Sequence, residues 1–107
     1  MATTNHTHIE WTCTTCGFPI ADGTGCINIP FAELSAHKPG RALVWRTQHD
    51  KCLTTSSVYG IDVETIRTHR DVLRWTHHLM SKNWFVDSTW AGVLSSIVWG
   101  RREAGVS

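Results

Sequence analysis

The chain carries two short ligand pairs far apart in sequence, Cys13-x-x-Cys16 and His49-x-x-Cys52. A tetrahedral structural zinc site asks for this arrangement, because each pair converges from one local turn and folding then brings the pairs together. With 107 residues the chain has the length of one domain and can bury a modest core, so a bound metal adds materially to its stability. Structural zinc binding contributes roughly 10–16 kcal/mol, as much as the whole stability of a typical domain. One structural Zn2+ is therefore expected, and its removal should unfold at least the first half of the chain.

The residues around each pair fit the same reading. Gly17 follows Cys16 directly, where a knuckle must turn sharply, and glycine reaches positive φ there without steric cost. Thr47 and Asp50 stand three apart in a near capping-box pattern, which predicts a helix whose first turns carry His49 and Cys52 on one face. Cys26 leaves an alternative open, since it could replace His49 in an all-cysteine site. Its place in an expected strand, Cys26-Ile27-Asn28-Ile29, reads instead as a small packing residue.

Cys-x-x-Cys-Gly on a knuckle, a hairpin, and Trp45-x-x-x-His49-x-x-Cys52 entering a helix together resemble a treble-clef zinc finger of the broad group that includes LIM-type fingers. The pattern is also similar to small zinc-finger proteins of actinobacteria and their phages. The likeness covers about half the chain, from residue 11 to residue 58, although the gap from Cys16 to His49 is longer than in a LIM finger and no second finger follows. It implies a partner-binding protein, conceivable as a phage-encoded modulator of a host protein, and supplies no catalytic residue.

Other uses of the cysteines fit less well. The start Met-Ala-Thr-Thr-Asn-His lacks the basic and apolar regions of a signal peptide, so a reducing cytoplasm is expected rather than a disulfide framework. A thioredoxin-like motif needs a βαβ setting, which the pattern does not offer. His8-Ile9-Glu10 before Cys13-x-x-Cys16 only superficially resembles a zinc deaminase signature, whose two segments sit on separate elements. A metal-dependent nuclease using His37, His49 or Asp50 lacks a second metal-binding constellation. The chain reads as not an enzyme.

The expected class is α+β, a single domain over residues 1–107. A treble-clef-like part at 9–58 (knuckle, hairpin, short helix) precedes a two-helix hairpin at 61–100, with flexible tails at 1–8 and 101–107. The first hairpin is placed at Phe18–Ile20 and Cys26–Pro30, a further strand at Ala42–Arg46, and a break at Ser56, Ser57 and Gly60. From Asp62 to Lys82, Ile66, Leu73 and Met80 recur every seven residues, with Val72, Trp75 and Leu79 widening the arc and His69 inside it. Asp87 or Ser88 should cap the second helix, where Trp90, Val93, Leu94, Ile97 and Val98 form an amphipathic stripe ending near Gly100.

No apolar run is long enough to cross a bilayer. Formal net charge is only +1, yet all ten basic residues fall after residue 37. Arg67, Arg70 and Arg74 form a row on the longer helix, extended by His77 and His78, that suits phosphate or an acidic protein surface. Of six tryptophans, Trp11, Trp45, Trp75, Trp84 and Trp90 are expected in the core, whereas Trp99 lies off its helix's apolar stripe and is the candidate contact residue. The leading functional expectation is a small protein-interaction module with one structural zinc. Nucleic-acid binding through Lys38–Lys51 and the arginine row is the alternative, and the near-neutral charge argues against it. Oligomeric state is not legible.

Overall fold

The structure, a computed structural model, describes residues 8–97. Expectations about Trp99, Val98, Gly100 and the tail at 101–107 therefore fall outside the described residues. Ile27 and Ile29 supply the β-branched side chains of β1 (Gly25–Pro30), and this strand becomes the middle of a three-stranded sheet. It pairs antiparallel with β2 (Arg46–His49) on one side and with β3 (Val58–Asp62) on the other, giving the order β2-β1-β3. Gly25 through Ile29 are buried without interruption, as a strand covered on both faces requires. Phe18–Ile20 forms no hairpin with β1. Pro19 instead bridges Thr12 inside the knuckle.

Register assigns the faces. Ile27 stands opposite Thr47 and Ile61, while Cys26 stands opposite Gln48 and Asp62. Directly opposed residues share a face, so Ile27, Ile29, Tyr59 and Ile61 look toward the main core and Cys26, Asn28 and Gln48 look away from it. Gly60 faces Asn28, and a Cβ there would collide with the Ile27 carbonyl oxygen. That glycine, with Ser56 and Ser57, suggested a chain break; it marks a close approach of two strands instead. As a result β3 spans the expected junction between the zinc half and the helical half.

A short helix, α1 (Phe31–Ser35), follows β1 directly. The longer helix, α2 (His69–Leu79), begins well after Asp62, because residues through 62 belong to β3 and Val63–Thr65 form a single 3-10 turn. Thr68 caps it. Its hydroxyl accepts the Asp71 N–H and the Asp71 carboxylate accepts the Thr68 N–H, each at 3.1 Å. Starting the helix after Ile66 breaks the seven-residue phase. Ile66 is fully buried ahead of α2, whereas Leu73 is 69% and Met80 62% exposed. Val72 and Leu79 face inward, and His69, expected among the core residues, is exposed.

A third helix, α3, covers residues 90–97. Trp90 at its start is fully buried, and its Nε1–H donates to Thr76 Oγ1 of α2 at 2.8 Å. Leu43, expected within a strand, makes only a bridge to Ser88, and Thr89 Oγ1 accepts the Trp45 N–H at 2.9 Å. The Trp45 ring meets Trp90 edge-on at 5.1 Å and Trp84 at 6.1 Å. The expected tryptophan core thus holds for Trp11, Trp45 and Trp90, with Trp75 and Trp84 half-buried against it. Together they join the helices to the sheet.

Removing the cap should be measurable. Thr68→Ala is expected to cost about 1 kcal/mol in denaturant unfolding. The hydrogen bonds from Thr68 hold the Asp71 carboxyl below its ordinary value of 3.8. A carboxyl with a lowered folded-state pKa stabilises fully above its unfolded pKa and loses that contribution as pH falls through the folded value. The gap between wild type and Asp71→Asn should accordingly be present at neutral pH and narrow as pH falls below the range of an ordinary carboxylate.

Candidate metal centre

The first ligand pair sits on a knuckle closed by backbone hydrogen bonds. Cys13 N–H donates to the Phe18 carbonyl and Gly17 N–H to the Cys13 carbonyl, each at 2.9 Å, while Cys16 N–H points at Cys13 Sγ at 3.5 Å. Gly17 has φ +82°, the left-handed conformation expected after Cys16. The second pair differs from expectation. His49 ends β2, and Asp50–Cys52 form one 3-10 turn with no side-chain cap in place of a helix. His49 precedes that turn with extended backbone and Cys52 closes it, and both side chains still reach the same point.

Thr47 does different work from the capping role its spacing suggested. Its carbonyl accepts the Thr14 N–H at 2.7 Å, and its hydroxyl donates to the Thr12 carbonyl at 2.8 Å. The outer edge of β2 is thereby laced to the knuckle. This lacing brings Cys13, Cys16, His49 and Cys52 together, with their ligand atoms all within 4.8 Å of one another. A tetrahedron with metal–sulfur bonds of about 2.3 Å has edges of about 3.8 Å, so the four donors fit a single metal ion with small adjustments.

The imidazole is already turned for the task. His49 Nε2 lies 3.0 Å from the Pro19 carbonyl oxygen, which can only accept, so Nε2 carries a proton. In neutral imidazole this leaves the Nδ1 lone pair free, and Nδ1 is 3.3 Å from Cys16 Sγ, on the ligand side. The thiols are electrostatically uneven. Burial alone would raise the Cys13 pKa, but N–H groups of Cys16, His49 and Thr15 and the His49 side chain outweigh it and lower the value to about 5. Burial, and then hydrogen bonds and charge repulsion from Cys13 and Cys16, push Cys52 up to about 11. Several thiolates crowded together resist full ionisation, and a bound cation relieves that repulsion.

Two polar residues behind the ligands gave no metal-site signal in the sequence. Buried Gln48 donates from Nε2 to Thr15 Oγ1 at 2.9 Å and to the Cys52 carbonyl at 3.5 Å, so one side chain ties the knuckle to the second pair. Fully buried Asn28 donates to Gln48 Oε1 at 3.3 Å. Alternation of polar and apolar residues in β1 and β2 would have marked them only as one face of a sheet. Cys26 lies outside the cluster, buried, accepting a weak hydrogen bond from Asn28 Nδ2 at 3.6 Å. Burial and the nearby Asp50 carboxylate raise its pKa, which suits a neutral packing thiol.

The arginine row does not survive intact. Arg67 precedes α2 and is buried, with Nε donating to Asp22 at 2.8 Å and Nη2 to the Ile20 carbonyl at 2.8 Å. It anchors the segment after the knuckle to the start of α2 and presents no free guanidinium to a partner. Arg70 and Arg74 remain exposed on α2. Among the nuclease candidates, His37 lies apart from the cluster and pairs with Asp87 at 2.9 Å.

Gln48→Ala is expected to remove the tie between the two halves of the site and lower metal affinity about 10–100-fold, the usual size of an outer-shell effect. Cys26→Ala should retain full metal content. Competitive chelator titration of both variants checks this, and the opposite pattern would reassign the ligands. No protein-family model matches the sequence, and neither a curated protein nor a solved structure does so.

Proposed function

We propose that the chain is a non-enzymatic, zinc-finger-type protein in which one structural Zn2+, bound by Cys13, Cys16, His49 and Cys52, holds a surface that engages another protein. The observation that carries this reading is the closed donor set: three thiols and an Nδ1 held toward them by the Nε2–H bond to Pro19. Soft sulfur donors in a tetrahedral set select zinc among common divalent ions. With all four positions filled by protein, no site is left for an activated water, so the metal supplies cross-linking rather than catalysis.

The treble-clef likeness supports the same reading through its knuckle, although the helix carrying the second pair is reduced here to one turn. A protein partner is favoured over nucleic acid because Arg67 is committed internally, leaving Arg70 and Arg74 without a broad basic field on α2. A reducing compartment suits the free thiols. Among the described residues, no helix is long and apolar enough to cross a membrane.

Metal analysis of the purified protein should give one zinc per chain. Cys52→Ser should lose zinc together with near-ultraviolet tertiary signal, since binding and folding are coupled. Binding to mixed DNA and RNA should be weak at physiological salt and unchanged in Arg70→Ala/Arg74→Ala. Strong binding that weakens steeply with salt and disappears in the double variant would assign the chain to nucleic acid instead.

A further inference from the structure

The two outer edges of the sheet are treated differently. That of β2 is covered by Thr14, whereas that of β3 has no comparable cover among the described residues. Phe31 N–H donates to the Ser57 carbonyl at 3.0 Å, which extends the β1–β3 register one step beyond Pro30 opposite Val58. Bonded and unbonded pairs alternate along antiparallel strands. Ile29–Tyr59 and Ile27–Ile61 are therefore the bonded pairs, and Val58, Gly60 and Asp62 turn their backbone groups away from β1. Among the described residues, no backbone group pairs with Val58 or Gly60 on that side, and Gly60 is exposed. Only the Asp62 carbonyl is occupied, by the Thr65 hydroxyl at 2.7 Å.

Clefts border this edge. One, of about 410 Å³, is bordered by Cys26, Leu53, Val58, Asp50 and Asp62, and both of its charged residues are acidic. Another, of about 270 Å³, is bordered by Ile61, Trp75, Arg74 and His78. Ile61 belongs to both. Successive side chains of an extended segment point to opposite faces, so one added strand can address the two clefts alternately.

We propose that β3 is the docking edge for an extended segment of a partner protein, which adds to the sheet beside Val58–Asp62. The segment carries Lys or Arg over Asp50 and Asp62 and apolar side chains against Trp75. This deepens the protein-partner reading and rests on it. Charge complementarity selects the occupant, since the carboxylates of the first cleft have no cation beside them in its lining.

The test uses fluorescence anisotropy of labelled alternating Lys/Val and Glu/Val peptides with the full-length, zinc-loaded protein. The Lys/Val peptide should bind about tenfold more tightly than its acidic counterpart. Val58→Pro removes an outward N–H while sparing the bonds to β1, and should weaken binding about tenfold. Asp62→Lys should reverse the peptide preference. Zinc content and thermal melting establish that both variants are folded; if Val58→Pro fails this check, Asp62→Lys and amide exchange at Gly60 decide.

In the isolated monomer the Gly60 amide should exchange rapidly and become protected when peptide is added. Protection without peptide would give the edge to the chain's own terminus, and a dimer abolished by Val58→Pro would give it to a second copy; either overturns the proposal. Equal affinity for the two peptides also overturns it. Capture of a protein partner that persists in both variants would retain the protein-interaction reading while removing this edge from it.

Discussion

The lacing of the knuckle onto the outer edge of β2 is the constraint on which the metal centre depends. Thr14 and Thr47 share a backbone hydrogen bond, and the Thr47 hydroxyl reaches back to Thr12. Between them these contacts place Cys13 and Cys16 beside a pair that lies 33 residues further along the chain, as the contact of Cys16 with His49 shows. Without a metal such a join relies on a few exposed hydrogen bonds, each worth roughly 0.5–1.5 kcal/mol. A metal shared by both sides would strengthen the same join. Sheet and site are one device, because the strand that carries His49 is also the one that accepts the knuckle.

Behind this join, Asn28 and Gln48 form a buried polar layer on the side of the sheet away from the main core. Such a layer is costly unless its groups are hydrogen-bonded. Gln48 meets that condition by spending its amide on Thr15 and Cys52, which converts a burial problem into a positional constraint on both ligand pairs. Asn28 Oδ1 has no partner among the described residues. Beside the knuckle, Arg67 plays a comparable part by binding Asp22 and the carbonyls of Ile9 and Ile20.

The ligand residues were legible because soft donors in short pairs have few other uses in one chain. Gly17 was legible because a knuckle turn needs positive φ. The β1 segment could be read from Ile27 and Ile29, but not its central position, which depends on distant partners. Thr47 misled because threonine suits both sites, an N-cap through its hydroxyl and a strand through its β-branch, and only pairing with β1 decides between them. Gly60 misled similarly, since strand crowding and chain turning both call for glycine. Ile66, Leu73 and Met80 gave a helical period whose phase was lost once the cap at Thr68 fixed the start of α2. Arg67 then fell outside the helix face to which spacing had assigned it.

The strand order has a consequence for synthesis on the ribosome. β1 emerges first of the three strands, yet it occupies the middle and needs both later strands to satisfy its backbone. Residues 25–30 therefore leave the exit tunnel as an unpaired apolar segment and remain so until residues 46–62 follow. Cys13 and Cys16 have emerged ahead of the second pair throughout that interval, so a metal bound then would be held through two ligands, with its other positions open to solvent or to competing thiols. Arrival of His49 and Cys52 would fill those positions just as β2 docks. The donor set of the nascent chain thus passes from an open pair to a closed set of four at the moment its central strand gains its first neighbour.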